Sequence, residues 1–145
     1  MEREVIPTVG SGEAWKRVFG EDWDFVQVRD VKGYRFILSH YYGTIHQQTP
    51  PGLEKAFAAA TQGLDPARPF FFVQHRVFPE TVDAFPYEKE WWCADGDASK
   101  KLLSRHPNAV GICGHAHSNL LNDGNLWKGP FAAVEVPSLH NLGFP

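Results

Sequence analysis

The sequence contains only two cysteines, Cys93 and Cys113. Their spacing matches neither a zinc-binding pair nor a disulfide framework, which argues against zinc ribbons and small disulfide-rich secreted domains. Both residues are therefore predicted to be buried thiols in a reducing compartment.

The sequence also lacks long apolar runs and runs of like charge. No stretch approaches the roughly 20 apolar residues that span a bilayer, and residues 1–20 lack the basic start and apolar centre of a signal peptide. The 14 basic and 17 acidic residues are mixed and give a net charge of -3. These features predict a soluble, cytoplasmic protein that binds small molecules or proteins, with no nucleic acid and no membrane as partner.

What is present is enough apolar sequence for one folded domain. Hydrophobic residues make up 43% of the 145 positions, so residues 1–145 can form a single core. Residues 1–12 mix polar residues with Pro and Gly and predict a loose arm.

The pattern of apolar residues predicts an α/β fold. Two alternating segments, Asp24–Asp30 and Gly33–His40, predict an antiparallel hairpin, and Leu53–Thr61 is rich in helix formers. Pro69–His75 and Ala109–Cys113 are short, continuous apolar runs of the kind found in strands covered on both faces.

The remaining predicted elements are less regular. Further segments predict one or two helical turns at Glu13–Phe19, a helix from Asp97 through Arg105, and strands at Gly124–Gly129 and Phe131–Val136. Residues 76–94 carry two prolines and no clean period and are predicted to be an irregular, aromatic-rich insertion that includes Trp91 and Trp92.

The segment Gly114-His115-Ala116-His117 is the strongest candidate for chemistry. With 7 histidines and 13 glycines in the chain, chance gives about 0.03 occurrences of such a segment. It follows a buried strand directly, and His75 ends the other buried strand, so both lie where open α/β sheets bind ligands. Imidazole is a good ligand for zinc, iron, manganese and nickel.

Each histidine also has an ordinary structural interpretation. In this interpretation His115 and His117 are loop histidines that form hydrogen bonds with the backbone. His75, taken by itself, is a hydrogen-bonded histidine of the core. His40 and His46 flank a polar loop and are interpreted as surface histidines.

A strand ending in histidine (PFFFVQH), a helix, and a strand running into Gly-His-x-His (AVGICGHAHSN) resemble the last two metal-binding motifs of calcineurin-like metallophosphoesterases. The resemblance covers about Ala14 to Leu139. It implies an α/β fold in which this chain is the C-terminal part of a four-layer α/β/β/α metallophosphoesterase sandwich.

The resemblance also implies a function and a metal site. In that family two divalent ions, about 3.5 to 4 Å apart, act on a phosphate mono- or diester. By resemblance His75 and His115 bind one ion and His117 binds the other, with manganese, iron, zinc or nickel as candidate metals.

The family's other motifs are absent from this sequence. No Asp has a His two positions later, Gly96-Asp97 is followed by Lys100 where Asp is required, and Gly124-Asn125 is followed by Leu126 instead of His. Three neutral imidazoles cannot offset the repulsion between two dications as a bridging carboxylate does. The chain is therefore expected to be incomplete and inactive alone, with no catalytic residue of its own, and to need a missing N-terminal half or to self-associate.

Two alternatives remain open. One is a non-enzymatic fragment or pseudo-enzyme that binds one metal or a protein partner. The other is a mononuclear zinc hydrolase using His75, His115 and His117, which fits in ligand number but lacks an identifiable general base.

Overall fold

The computed structural model describes residues 11–40, 49–82, 98–119 and 121–137. Within these residues it contains three helices, a short 3₁₀ turn and a six-stranded mixed sheet, which confirms the α/β class. The helices are α1 (Ser11–Phe19), α2 (Leu53–Thr61) and α3 (Ala98–Leu103), and the turn is Asp123–Asn125. The strands are β1 (Val26–Val31), β2 (Tyr34–Ser39), β3 (Phe70–Val73), β4 (Ala109–Cys113), β5 (Leu126–Lys128) and β6 (Ala132–Glu135).

The sheet has parallel strands at its centre and an antiparallel strand at each edge. Its order is β1-β2-β3-β4-β6-β5. Strands β2, β3, β4 and β6 run parallel, whereas β1 and β5 run antiparallel to β2 and β6. The carboxyl ends of the four central strands therefore meet at one edge of the sheet.

One face of the sheet forms the core. Ile37, Phe72, Gly111 and Ala133 stand in register across the four parallel strands, and all four are buried. Helices α2 and α3 contribute Phe57, Leu102 and Leu103 to the same hydrophobic cluster, and Phe57 meets Phe70 and Phe72 edge to face at ring distances of 6.0 and 5.9 Å.

The opposite face, called here the open face, is only half-buried among the described residues. Its side chains alternate with those of the core face and are mostly apolar. They are Phe36, Leu38, Phe71, Val73, Val110, Ile112 and Val134. The prediction that β3 and β4 are covered on both faces is therefore wrong for the described residues. Continuous apolar sequence identified the strands, but it cannot show whether a second layer is present.

Most predicted elements are found close to their expected bounds. The hairpin pairs β1 with β2, and α2 coincides with the predicted helix. Helix α1 begins at Ser11, within the last two positions of the predicted arm. The rest of that arm, Trp91, Trp92, Cys93, His46 and Asp97 lie outside the described residues. No helix in the described part is long and apolar enough to cross a membrane.

Candidate metal-binding site

The parallel topology brings His75 and His115 together. His75 follows β3 and His115 follows β4, and these strands are neighbours. Backbone hydrogen bonds continue the pairing beyond the strands, from Gln74 N to Ile112 O at 3.0 Å and from Gly114 N to His75 O at 3.0 Å. The two histidines are thus fixed to one edge by the sheet itself.

The two imidazoles are in direct contact. His115 Nδ1 lies 2.8 Å from His75 Nε2, and the ring centroids are 4.5 Å apart with planes at 67°. At this distance one nitrogen carries the hydrogen and donates it to the other. The two nitrogens therefore face each other, and each lies in the ring plane, where imidazole also binds a metal ion.

Both rings favour the neutral form. Burial lowers the pKa of His115 to about 4, with further contributions from His75 and from the positive charge of Arg76. His75 is exposed at the surface, but the protein packed against its ring lowers the pKa of this side chain too. A neutral imidazole keeps the lone pair that a metal ion needs.

The turn that carries the histidine pair has unusual backbone geometry. His115 and His117 have positive φ angles of 75° and 54°, and Ala116 N donates to Gly114 O at 3.0 Å. A three-residue turn closed in this way around a residue with positive φ is rare and strained, and such strain is concentrated at functional sites. Glycine is the residue that adopts positive φ most readily, and Gly114 stands next to the pair. Instead the two histidines adopt the left-handed conformation, while a side chain at Gly114 would make only ordinary contacts with Val136 O and His75 O.

His117 is exposed in the same turn. Its charge lowers the pKa values of His75 and His115, so it lies within electrostatic reach of both. Across the four described ranges, no group of three or more His, Cys, Asp or Glu side chains is arranged to hold a metal ion. The structure therefore joins His75 and His115, and the three-histidine ligand set stays a prediction.

The turn is fastened to the core by Glu135. This residue ends β6 and is 1% exposed, and its Oε1 accepts a hydrogen bond of 3.5 Å from the backbone N of Ser118. Asn125 Nδ2 also donates to Asn119 O at 2.8 Å. The segment after His117 is thus held at two points, one of them a buried acidic residue that the sequence interpretation missed.

His40 is a second residue that was misinterpreted from the sequence. It follows β2 as His75 follows β3, so it lies at the same edge of the sheet. Its ring packs against Trp15 and Trp23 at centroid distances of 5.7 Å each, and burial lowers its pKa. His40 is therefore half-buried and not a surface histidine. Its position directly after a predicted strand was the sequence signal that could have placed His40 at this edge of the sheet.

Cys113 lies on the core face beside the site. It is free and buried, as predicted. Burial raises the pKa of the Cys113 thiol to about 12, so the thiol stays protonated at neutral pH.

Comparison with models of protein families, with curated proteins and with solved structures finds no match to this chain.

Proposed function

We propose that this chain contributes the histidine side of a divalent-metal site that hydrolyses phosphate esters. The contact of 2.8 Å between His115 Nδ1 and His75 Nε2 is the observation that supports this most directly. Two nitrogens bound to one ion at right angles, each about 2.1 Å from it, are about 3.0 Å apart. The observed separation is therefore close to that expected for two nitrogens that would bind one ion.

In the proposed site His75 and His115 hold one ion and His117 holds the second. Bound divalent ions supply positive charge that offsets the charge of the phosphate. In this proposal the chain presents neutral imidazoles at a fixed distance, and the pairing of β3 with β4 supports that role. Zinc, nickel, iron or manganese suits nitrogen ligands better than magnesium does.

The proposal includes the fold of a four-layer sandwich, of which this chain forms the C-terminal part. The asymmetry of the sheet supports it. Helices α2 and α3 cover the core face, whereas the open face carries half-buried apolar side chains on four adjacent strands. A further layer from another polypeptide segment would cover Phe36, Phe71 and Val110 and bring carboxylate ligands to the histidines.

Hydrolysis tests this proposal in two steps. The purified chain with Mn²⁺ should cleave a bis-nitrophenyl phosphodiester at the background rate, because it has no bridging carboxylate. Co-expression with a polypeptide that carries Asp-x-His, Gly-Asp-x-x-Asp and Gly-Asn-His-Asp motifs should raise the rate, and His75→Ala or His115→Ala should remove the increase. Strong Mn²⁺-dependent turnover by the chain alone, abolished by His117→Ala, would show that the site is complete without those motifs.

The second candidate function is non-enzymatic binding of one metal ion or of a protein partner. The observation in its favour is that the described residues gather two histidines but no group of three metal-binding side chains. An unchanged background rate after co-expression, together with metal binding that requires His75 and His115, would support it.

A further inference from the structure

A cavity of about 610 Å³ lies beside His75 at the carboxyl edge of the sheet. Its floor is the last row of the open face, formed by Leu38, Val73 and Ile112 from three adjacent parallel strands. One wall consists of the Trp15 and Phe19 rings of α1, whose centroids are 4.2 Å apart. Cavities of this size bind small organic molecules.

The aromatic wall is held in place by a chain of polar contacts. Trp15 Nε1 donates to Glu21 Oε1 at 3.2 Å, and Glu21 is ion-paired with Arg29 of β1. The indole N–H is thus used within the protein, which leaves the rings of Trp15 and Phe19 as apolar surfaces for a ligand. Flat aromatic rings favour other flat rings, through offset or edge-to-face contacts.

The chemistry of the lining points to an uncharged ligand. None of the described residues that line the cavity is Asp, Glu, Lys or Arg. Its polar side chains include Ser39, His40, Gln74 and His75, and none of them carries a fixed charge. A charged group would lose hydration here without gaining a partner.

From the position of this cavity beside the His75–His115 pair, we infer that it binds the aromatic group of an aryl phosphate ester. This inference rests on the proposed function, because the phosphate of such an ester would lie at the two histidines while its ring enters the cavity. It excludes sugar and polyol phosphates as preferred substrates, since their hydroxyl groups would lose water against an apolar floor.

Binding of 2-naphthol tests the cavity without metal or turnover. The chain labelled with ¹⁵N and with ¹³C methyl groups is titrated with 2-naphthol, and methyl shifts at Leu38, Val73 and Ile112 are expected to move together. Val73→Trp fills the floor and should weaken binding by about tenfold or more. Leu121→Trp is the matched control, because Leu121 is 87% exposed and does not line the cavity.

A second variant covers the case in which Val73→Trp fails to fold. Trp15→Ala changes a residue of α1, outside the sheet, and should weaken naphthol binding by about fivefold or more. Equal affinity in wild type and in the folded cavity variants, or shifts absent from the cavity residues, would overturn the inference. An affinity for naphthol that falls as the protein concentration rises would also overturn the inference, because a second copy of the chain would then occupy the cavity.

A parallel titration of the same chain with Zn²⁺ separates this inference from the proposed function. Naphthol binding without metal binding would support the ligand-binding cavity and contradict the hydrolytic role. Metal binding at His75 and His115 without naphthol binding would support the metal site and contradict the ligand-binding cavity.

Discussion

His115 Nδ1 lies 2.8 Å from His75 Nε2, although 40 positions separate the two residues in the chain. Their contact follows from the parallel pairing of β3 and β4, since parallel strands end at the same edge of a sheet. His115 itself lies in a tight turn, with a positive φ of 75°.

The first prediction concerns pH. The pKa of His115 is lowered from 6.5 to about 4 in the folded protein, mainly by burial, so the unfolded chain binds more protons between these values. The free energy of unfolding should therefore fall as pH drops from 6.5 toward 4. Urea denaturation at pH 7 and pH 5 measures the loss, which should be smaller in His115→Gln. An equal loss in both proteins would contradict the lowered pKa.

The second prediction concerns Gly111 on the core face. A Cβ at this position would lie 2.7 Å from Phe78 Cε2 and 3.2 Å from Phe131 Cε2. Gly111→Ala should lower the free energy of unfolding by about 1–3 kcal/mol, because neither ring can move without disturbing the core. Gly12→Ala is the matched control: that Cβ meets nothing within 4 Å, and alanine favours a helix. Equal stability of the two variants in urea denaturation would show that the core is looser than described.

The third prediction concerns Glu135, which is buried beneath the histidine turn. Glu135→Ala removes the acceptor for the Ser118 amide and should cost about 1–3 kcal/mol. Glu135→Gln keeps an oxygen at the same place and should retain more of the stability. Hydrogen exchange at Ser118 provides a local measurement. Exchange that is equally slow in wild type and Glu135→Ala would mean that the carboxylate does not hold the turn.

The fourth prediction concerns the open face. Apolar side chains spread over several strands favour association, so the purified chain should form dimers or larger species in sedimentation experiments. Val110→Lys, at the centre of that face, should shift the distribution toward monomer. Lys101→Ala, on the exposed side of α3, is the control and should leave it unchanged. A compact monomer of wild type at high concentration would contradict the proposed missing layer.

The fold was largely predictable from local patterns. Alternating residues identified the β1–β2 hairpin, and helix formers identified α2, because both signals reside in neighbouring residues. The half-buried state of Phe71 and Val73 was not predictable, since an apolar strand looks the same whether one or both of its faces are covered.

The candidate site was predictable only in part. His75 and His115 follow strands that could be recognised in the sequence, so their meeting could be expected. The roles of His40 and Glu135 depend on partners from distant segments, namely Trp15 for the first and Ser118 for the second. Contacts between segments that are distant in the chain cannot be recognised from a local sequence pattern.

The most direct test of the central claim is a calorimetric titration of the purified chain with Zn²⁺ or Ni²⁺. Three neutral imidazoles without a bridging carboxylate cannot offset the repulsion between two ions, so one ion per isolated chain is expected. His75→Ala and His115→Ala should each weaken its binding by about tenfold or more. His106→Gln is the matched control, because His106 packs on Phe57 and Phe70 at the amino end of β4, away from the carboxyl edge. Its affinity should equal that of wild type. Undiminished binding in both alanine variants would show that the His75–His115 pair holds no metal, and the account of the site would be wrong.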